Sequence, residues 1–235
     1  MPVDRSLLPA QSPFDLLDRE SARVDALLAD LVSGSDDDPR WKGATRCSEW
    51  DARALFGHLR HLEDYNHACV NDSVSELLAD AGHDFNDFNE DGVKKYADVP
   101  VATLLEDWRR LNADYRAQMR DRGDGFVDTS VGKYPSLFQA YYLAVEYSVH
   151  GDDFLLGRGD YEGRDAWRAA FARFALNEQD RPVQVTAADP GWSDVTYEDT
   201  TYVVSDSDLA EAGAARLGPQ SGLPADVLTS LRCFA

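Results

Sequence analysis

The chain of 235 residues carries 43 acidic against 23 basic side chains, a formal net charge of -20. Clustered cations are what hold nucleic acid or an anionic lipid surface, so this excess excludes both as partners and predicts a soluble monomer or homodimer. At 43% hydrophobic and 11% aromatic the sequence is too rich in core-formers to be disordered, and its length suits one large domain or a medium domain with a small appendix.

Ser12 and Pro13 read as an N-cap and a first-turn proline. Phe14, Leu17, Val24, Leu27, Leu28 and Leu31 then recur at helical spacing until Gly34 and the Asp36-Asp37-Asp38-Pro39 run. That acidic run lacks the alternating ligands and the glycine of a calcium loop and reads as a solvated turn. A second helix opens near Ser48 or Asp51, either of which can cap it, and carries Trp50, Leu55, His58, Leu62, Tyr65 and Cys69 on one face to about Val70. Residues 71–100 read as a long polar excursion with one short helix near Val74 to Ala79. A third helix follows Pro100, with Leu104, Leu105, Trp108, Leu111, Tyr115 and Met119 inward, and ends at Gly123 and Gly125. The fourth follows Pro135, carries Phe138, Tyr142, Val145, Val149 and Phe154, and stops at Gly157 and Gly159.

Four long amphipathic segments must bury their stripes against one another, which predicts a four-helix bundle. A fifth helix spans Trp167 to Leu176. From Arg181 the pattern changes to alternation, with strands expected over Pro182 to Thr186, Val195 to Tyr197 and Thr200 to Val204, then helical pieces over Asp208 to Arg216 and Ala225 to Phe234. The fold class is therefore mainly α, a bundle over 1–160 with a linking helix and a small α+β C-terminal domain over 161–235.

The N-terminal sequence lacks the cationic start and apolar stretch of a secretion signal, and no apolar run approaches the roughly 18 residues of a membrane span. Cys47, Cys69 and Cys233 form no C-x-x-C pair. A reduced, cytoplasmic location is expected.

Glu146 and His150 stand four residues apart, so a helix points them the same way, toward the bundle and beside Tyr142. The spacing alone is common, and an internal Glu–His hydrogen bond or a solvent-facing pair accounts for it as well as a metal does. His58, on the inward face of the second helix, could join them to complete the two-histidine, one-carboxylate set that zinc uses in open catalytic sites. Asp153 could accept the proton on the other ring nitrogen of His150. His61, one turn beyond His58, reads as a histidine near the pocket mouth with a solvated ring, while His67 and His83 have no partner visible in the sequence. No G-x-S-x-G, P-loop, G-x-G-x-x-G or H-E-x-x-H motif is present.

The stretch CSEWDARALFGHLRHL resembles the Trp-x7-His-Leu signature of the mycothiol-dependent maleylpyruvate isomerase family, within the DinB-like metal-binding superfamily. EYSVHGDD is similar to that family's Glu-x-x-x-His-x-x-Asp, and the likeness covers roughly residues 12 to 160. The resemblance implies a DinB-like four-helix bundle whose divalent metal ligands, most often for Zn2+, are His58, Glu146 and His150. It further implies mycothiol or a similar low-molecular-weight thiol as cosubstrate and a small-molecule electrophile as substrate, joined in S-transfer or cis-trans isomerisation. His61 and Arg216 are then the catalytic candidates, and Tyr65 and Tyr142 the candidates for binding the thiol. Asp51 stands where many relatives have Ser or Thr, and the tail after Arg181 matches the family's C-terminal domain loosely. The competing readings are a metal-dependent hydrolase using activated water and a non-catalytic metal- or small-molecule-binding bundle.

Overall fold

A computed structural model describes residues 5–80, 85–155 and 160–234, with the side chains of residues 80, 85 and 86 outside that description. His83 and the glycines Gly157 and Gly159, expected to end the fourth helix, lie outside the described residues. The chain forms two compact units, Pro13–Arg158 and a discontinuous unit of Met1–Ser12 with Gly159–Ala235. Among the described residues, no helix is long and apolar enough to cross a membrane.

In the first unit the four long helices are α1 (Pro13–Val32), α2 (Ala52–Val70), α5 (Val101–Arg122) and α6 (Ser136–Asp153), with α3 (Val74–Asp80) and α4 (Phe85–Tyr96) between α2 and α5. α1 packs on α6 and α5, α2 packs on α5 and α4, and α5 meets α6. Their stripes bury Leu17, Val24, Leu28, Leu55, Leu104, Trp108, Tyr115 and Val145, so a mainly α bundle encloses the core. Asp51, not Ser48, caps α2: its side chain accepts from the Ala54 N–H at 2.9 Å. Trp50 therefore sits in the turn before the helix and not on its face. The acidic run is used locally. Asp38 accepts from the Arg40 N–H at 2.9 Å and caps the short 3-10 turn Pro39–Lys42, whose Trp41 stacks on Phe56.

One helix and one hairpin are missing from the sequence reading. α4 lies within the expected polar excursion, and a hairpin of β1 (Phe126–Thr129) and β2 (Gly132–Pro135) bridges α5 and α6. Gly92 lets α4 lie on α2, since a Cβ there would stand 2.3 Å from the His61 ring. Asp64 of α2 clasps the end of the same helix, accepting from Lys95 Nζ at 2.8 Å and from the Tyr96 hydroxyl at 2.9 Å.

The second unit contains α7 (Arg164–Glu178), an antiparallel sheet in the order β3 (Gln184–Ala187), β4 (Trp192–Tyr197), β5 (Thr200–Ser205), then α8 (Asp206–Gly213) and α9 (Ala225–Ser230). α7 packs on α8 and β3, and Phe171 stacks with Phe174 and Phe234 in its core. α8 and α9 end earlier than their apolar patterns suggest, at an Ala214 and a Leu231 cap.

Candidate metal centre

α2 presents His58 toward α6, which presents Glu146 and His150 one turn apart. His58 Nε2 is 3.4 Å and His150 Nε2 3.1 Å from the same atom, Glu146 Oε1, and the three ligand atoms lie within 4.8 Å of one another. Both imidazoles are buried, whereas Glu146 keeps 29% of its side chain exposed, which gives the cluster one open edge. Burial opposes charge on Glu146, but His150 and His58 beside it hold its carboxyl well below the usual carboxylate range. Burial pushes the His58 imidazole down. On His150 burial acts the same way but is outweighed by Glu146 and Asp153, which raise its proton affinity well above the ordinary value.

Each imidazole is oriented by a neighbour. His150 Nδ1 meets Asp153 Oδ2 at 3.0 Å, which holds a proton on Nδ1, so that the proton between Nε2 and Glu146 Oε1 is the one an ion would displace. The Trp50 ring covers His58 with centroids 4.8 Å apart, and Trp50 itself is tied to α4 by its indole N–H, which donates to Glu90 Oε1 at 2.9 Å. His58 Nδ1 is buried without a hydrogen-bond partner among the described residues. Two imidazole nitrogens and one carboxylate converging on a point, with an open edge, suit a divalent cation: it would replace the protons now shared with Oε1 and keep positions for exogenous ligands.

The other candidates are placed differently. His61 is buried, not solvated: its ring lies against Phe88 with centroids 4.1 Å apart and its Nδ1 is 3.2 Å from Asp64 Oδ2. The cause is α4, which covers the stretch of α2 that the sequence reading left open. Tyr65 is buried too; its hydroxyl donates to Ser130 Oγ at 3.5 Å and accepts from the Ser130 N–H at 3.2 Å, and burial pushes its pKa up to about 12. Tyr142 is half-buried one turn before Glu146, its ring 6.2 Å from that of Tyr134 in the hairpin. Arg216 lies after α8 in the other unit, where its guanidinium donates to the Ala214 carbonyl at 3.2 Å.

Sequence reasoning missed Cys47 and Glu90. Cys47 Sγ donates to Asp153 Oδ2 at 3.2 Å and stands 3.9 Å from His150 Nδ1. No spacing rule links a loop cysteine to a residue 106 positions away. Glu90 was hidden with α4.

The chain matches the family model of the mycothiol maleylpyruvate isomerase N-terminal domain over residues 17–154, more than half its length. It belongs to that family, a mycothiol-related group with a mainly α, DinB-like fold. No curated protein and no solved structure matches it.

Proposed function

We propose that the protein is a metal-dependent, thiol-utilising enzyme that adds mycothiol or a similar low-molecular-weight thiol to a small electrophile, as an S-transferase or cis-trans isomerase. The observation that carries this reading is the convergence of His58 Nε2 and His150 Nε2 on Glu146 Oε1 inside a domain of a mycothiol-related family. In this reading His58, Glu146 and His150 hold the ion, zinc by the chemistry of the donor set, which supplies a Lewis acid that favours the thiolate form of a bound thiol.

The chain's own residues do the remaining work. Asp153 fixes the His150 tautomer and Trp50 holds the plane of His58. Tyr142, beside the open edge at Glu146, contacts the thiol or the electrophile, and Tyr65 holds the hairpin turn at Ser130. His61, through its packing on Phe88 and its contact with Asp64, keeps α4 in position over the site and is a positioning residue. In the addition, a C–S bond forms and the thiol proton passes to the neighbouring carbon; for isomerisation, rotation about the resulting single bond precedes loss of that proton and cleavage of the C–S bond.

We further propose a cytoplasmic monomer or homodimer; none of the three cysteines is in a disulfide, as a reducing compartment requires. Incubation of the protein with mycothiol and candidate electrophiles, read by mass spectrometry, tests the reaction. An enzyme-dependent thiol adduct or an isomerised product that requires the thiol is expected. A hydrolysed product formed equally well without thiol would replace this reading with activated-water chemistry.

A further inference from the structure

The second ring nitrogen of His150 belongs to another set of donors. Nδ1 is 3.0 Å from Asp153 Oδ2, and Cys47 Sγ is 3.2 Å from that oxygen and 3.9 Å from that nitrogen. In a tetrahedral site with bonds of about 2.0 Å to nitrogen and oxygen and about 2.3 Å to sulfur, donors lie roughly 3.3 to 3.6 Å apart, so this triangle fits one face of such a site within about 0.4 Å. The set is held in place. Thr45 Oγ1 accepts from the Cys47 N–H at 3.1 Å and donates to the Trp50 carbonyl at 2.7 Å, while the Arg46 N–H donates to the Asp153 carbonyl at 3.0 Å. The Arg46 guanidinium approaches the other carboxylate oxygen, Nε to Oδ1 at 3.8 Å. Asp153 is fully buried and His150 nearly so, while Cys47 is half-buried and gives an ion a way in.

We propose that Cys47 Sγ, His150 Nδ1 and Asp153 Oδ2 form a second divalent-metal site, selective for thiophilic ions of the zinc and cadmium class, that shares the His150 ring with His58 and Glu146. Binding breaks the Cys47 S–H bond and forms the metal–sulfur bond, and it displaces the proton on His150 Nδ1; both protons go to solvent, and Nε2 keeps the proton it shares with Glu146 Oε1. Thiolate and carboxylate together cancel the double positive charge of the ion. A neutral imidazole has one lone pair, so His150 serves one set at a time, and a soft ion on Nδ1 takes the third donor away from the His58 set.

Cadmium titration of the metal-stripped full-length protein, read by the ultraviolet thiolate-to-cadmium charge-transfer band, tests this. The wild type is expected to develop a band that saturates near one equivalent, Cys47→Ser to lose it, Asp153→Asn to need more cadmium, and His58→Ala to keep it. Cys69 and Cys233 are buried, and burial pushes the Cys69 thiol up to about 12, so they add no band. A band that survives in Cys47→Ser, that disappears in His58→Ala, or that never forms in the wild type overturns the proposal. The readout follows one sulfur and involves no turnover, so its failure leaves the thiol chemistry proposed for the His58 set untouched, and the reverse also holds.

Discussion

His150 has a different partner at each ring nitrogen, Glu146 at Nε2 and Asp153 at Nδ1, and the second decides what the first can do. Replacing Asp153 by Asn keeps an acceptor and removes its charge, so the His58–Glu146–His150 set is expected to lose about 10- to 100-fold in zinc affinity, measured by chelator competition. Unchanged affinity would contradict the orienting role. A second prediction concerns Glu63, fully buried on α2, where it accepts from Asn112 Nδ2 at 3.0 Å, from Asn66 Nδ2 at 3.2 Å and from the Tyr147 hydroxyl. Burial raises its pKa above the ordinary 4.5 despite those donors and the field of His67. The folded state therefore holds the proton longer than the unfolded chain, and stability falls as pH rises from about 4.5 through the raised value. Melting between about pH 5 and pH 8 should show a steeper loss for wild type than for Glu63→Gln; parallel curves would contradict it. The three metal-ligand candidates were legible in the sequence because an i, i+4 pair shares a helix face and His58 falls on an inward stripe. Cys47 was not, because only the tertiary fold carries its loop to the last turn of α6.

At the level of elements, the long helices announced themselves through apolar spacing sustained over several turns and through Asp51, Pro100 and Pro135 at their starts. α4 did not, because Gly92 and the surrounding Asp and Asn residues imitate a loop, and its burial comes from lying on α2. The hairpin strands, four residues each, are too short for alternation to register. That α4 covers His61 has a direct consequence. Gly92→Ala would gain about 1 kcal/mol of helix propensity, but its Cβ would meet the ring of a residue clamped between Phe88 and Asp64. Overpacking of this kind costs typically 1–3 kcal/mol, so a lower melting temperature is expected. An equal or higher one would show that α4 can lift away, and with it the positioning role of His61.

Across the whole molecule the charge of -20 is mostly surface. Arginines of α5 meet acids of α1, as Arg109 with Asp25, Arg116 with Asp18 and Arg120 with Asp15, and such exposed pairs add little to stability. The excess acts instead on approach: an anionic electrophile is repelled at long range and salt screens that repulsion. The kcat/KM for a dicarboxylate should therefore rise several-fold between low and physiological ionic strength, more than for a neutral electrophile. Equal salt responses would mean that local cations already offset the surface field.

The proposed function depends on His58, Glu146 and His150 holding a divalent ion inside the bundle. Elemental analysis of the purified protein tests it most directly, in a Cys47→Ser background so that the second donor set cannot contribute. About one zinc-type ion per chain is expected, falling to a small fraction in His58→Ala and in Glu146→Gln while both variants remain folded by circular dichroism. Metal content unaffected by either substitution, or protein that stays metal-free after growth and dialysis with zinc, would contradict the claim.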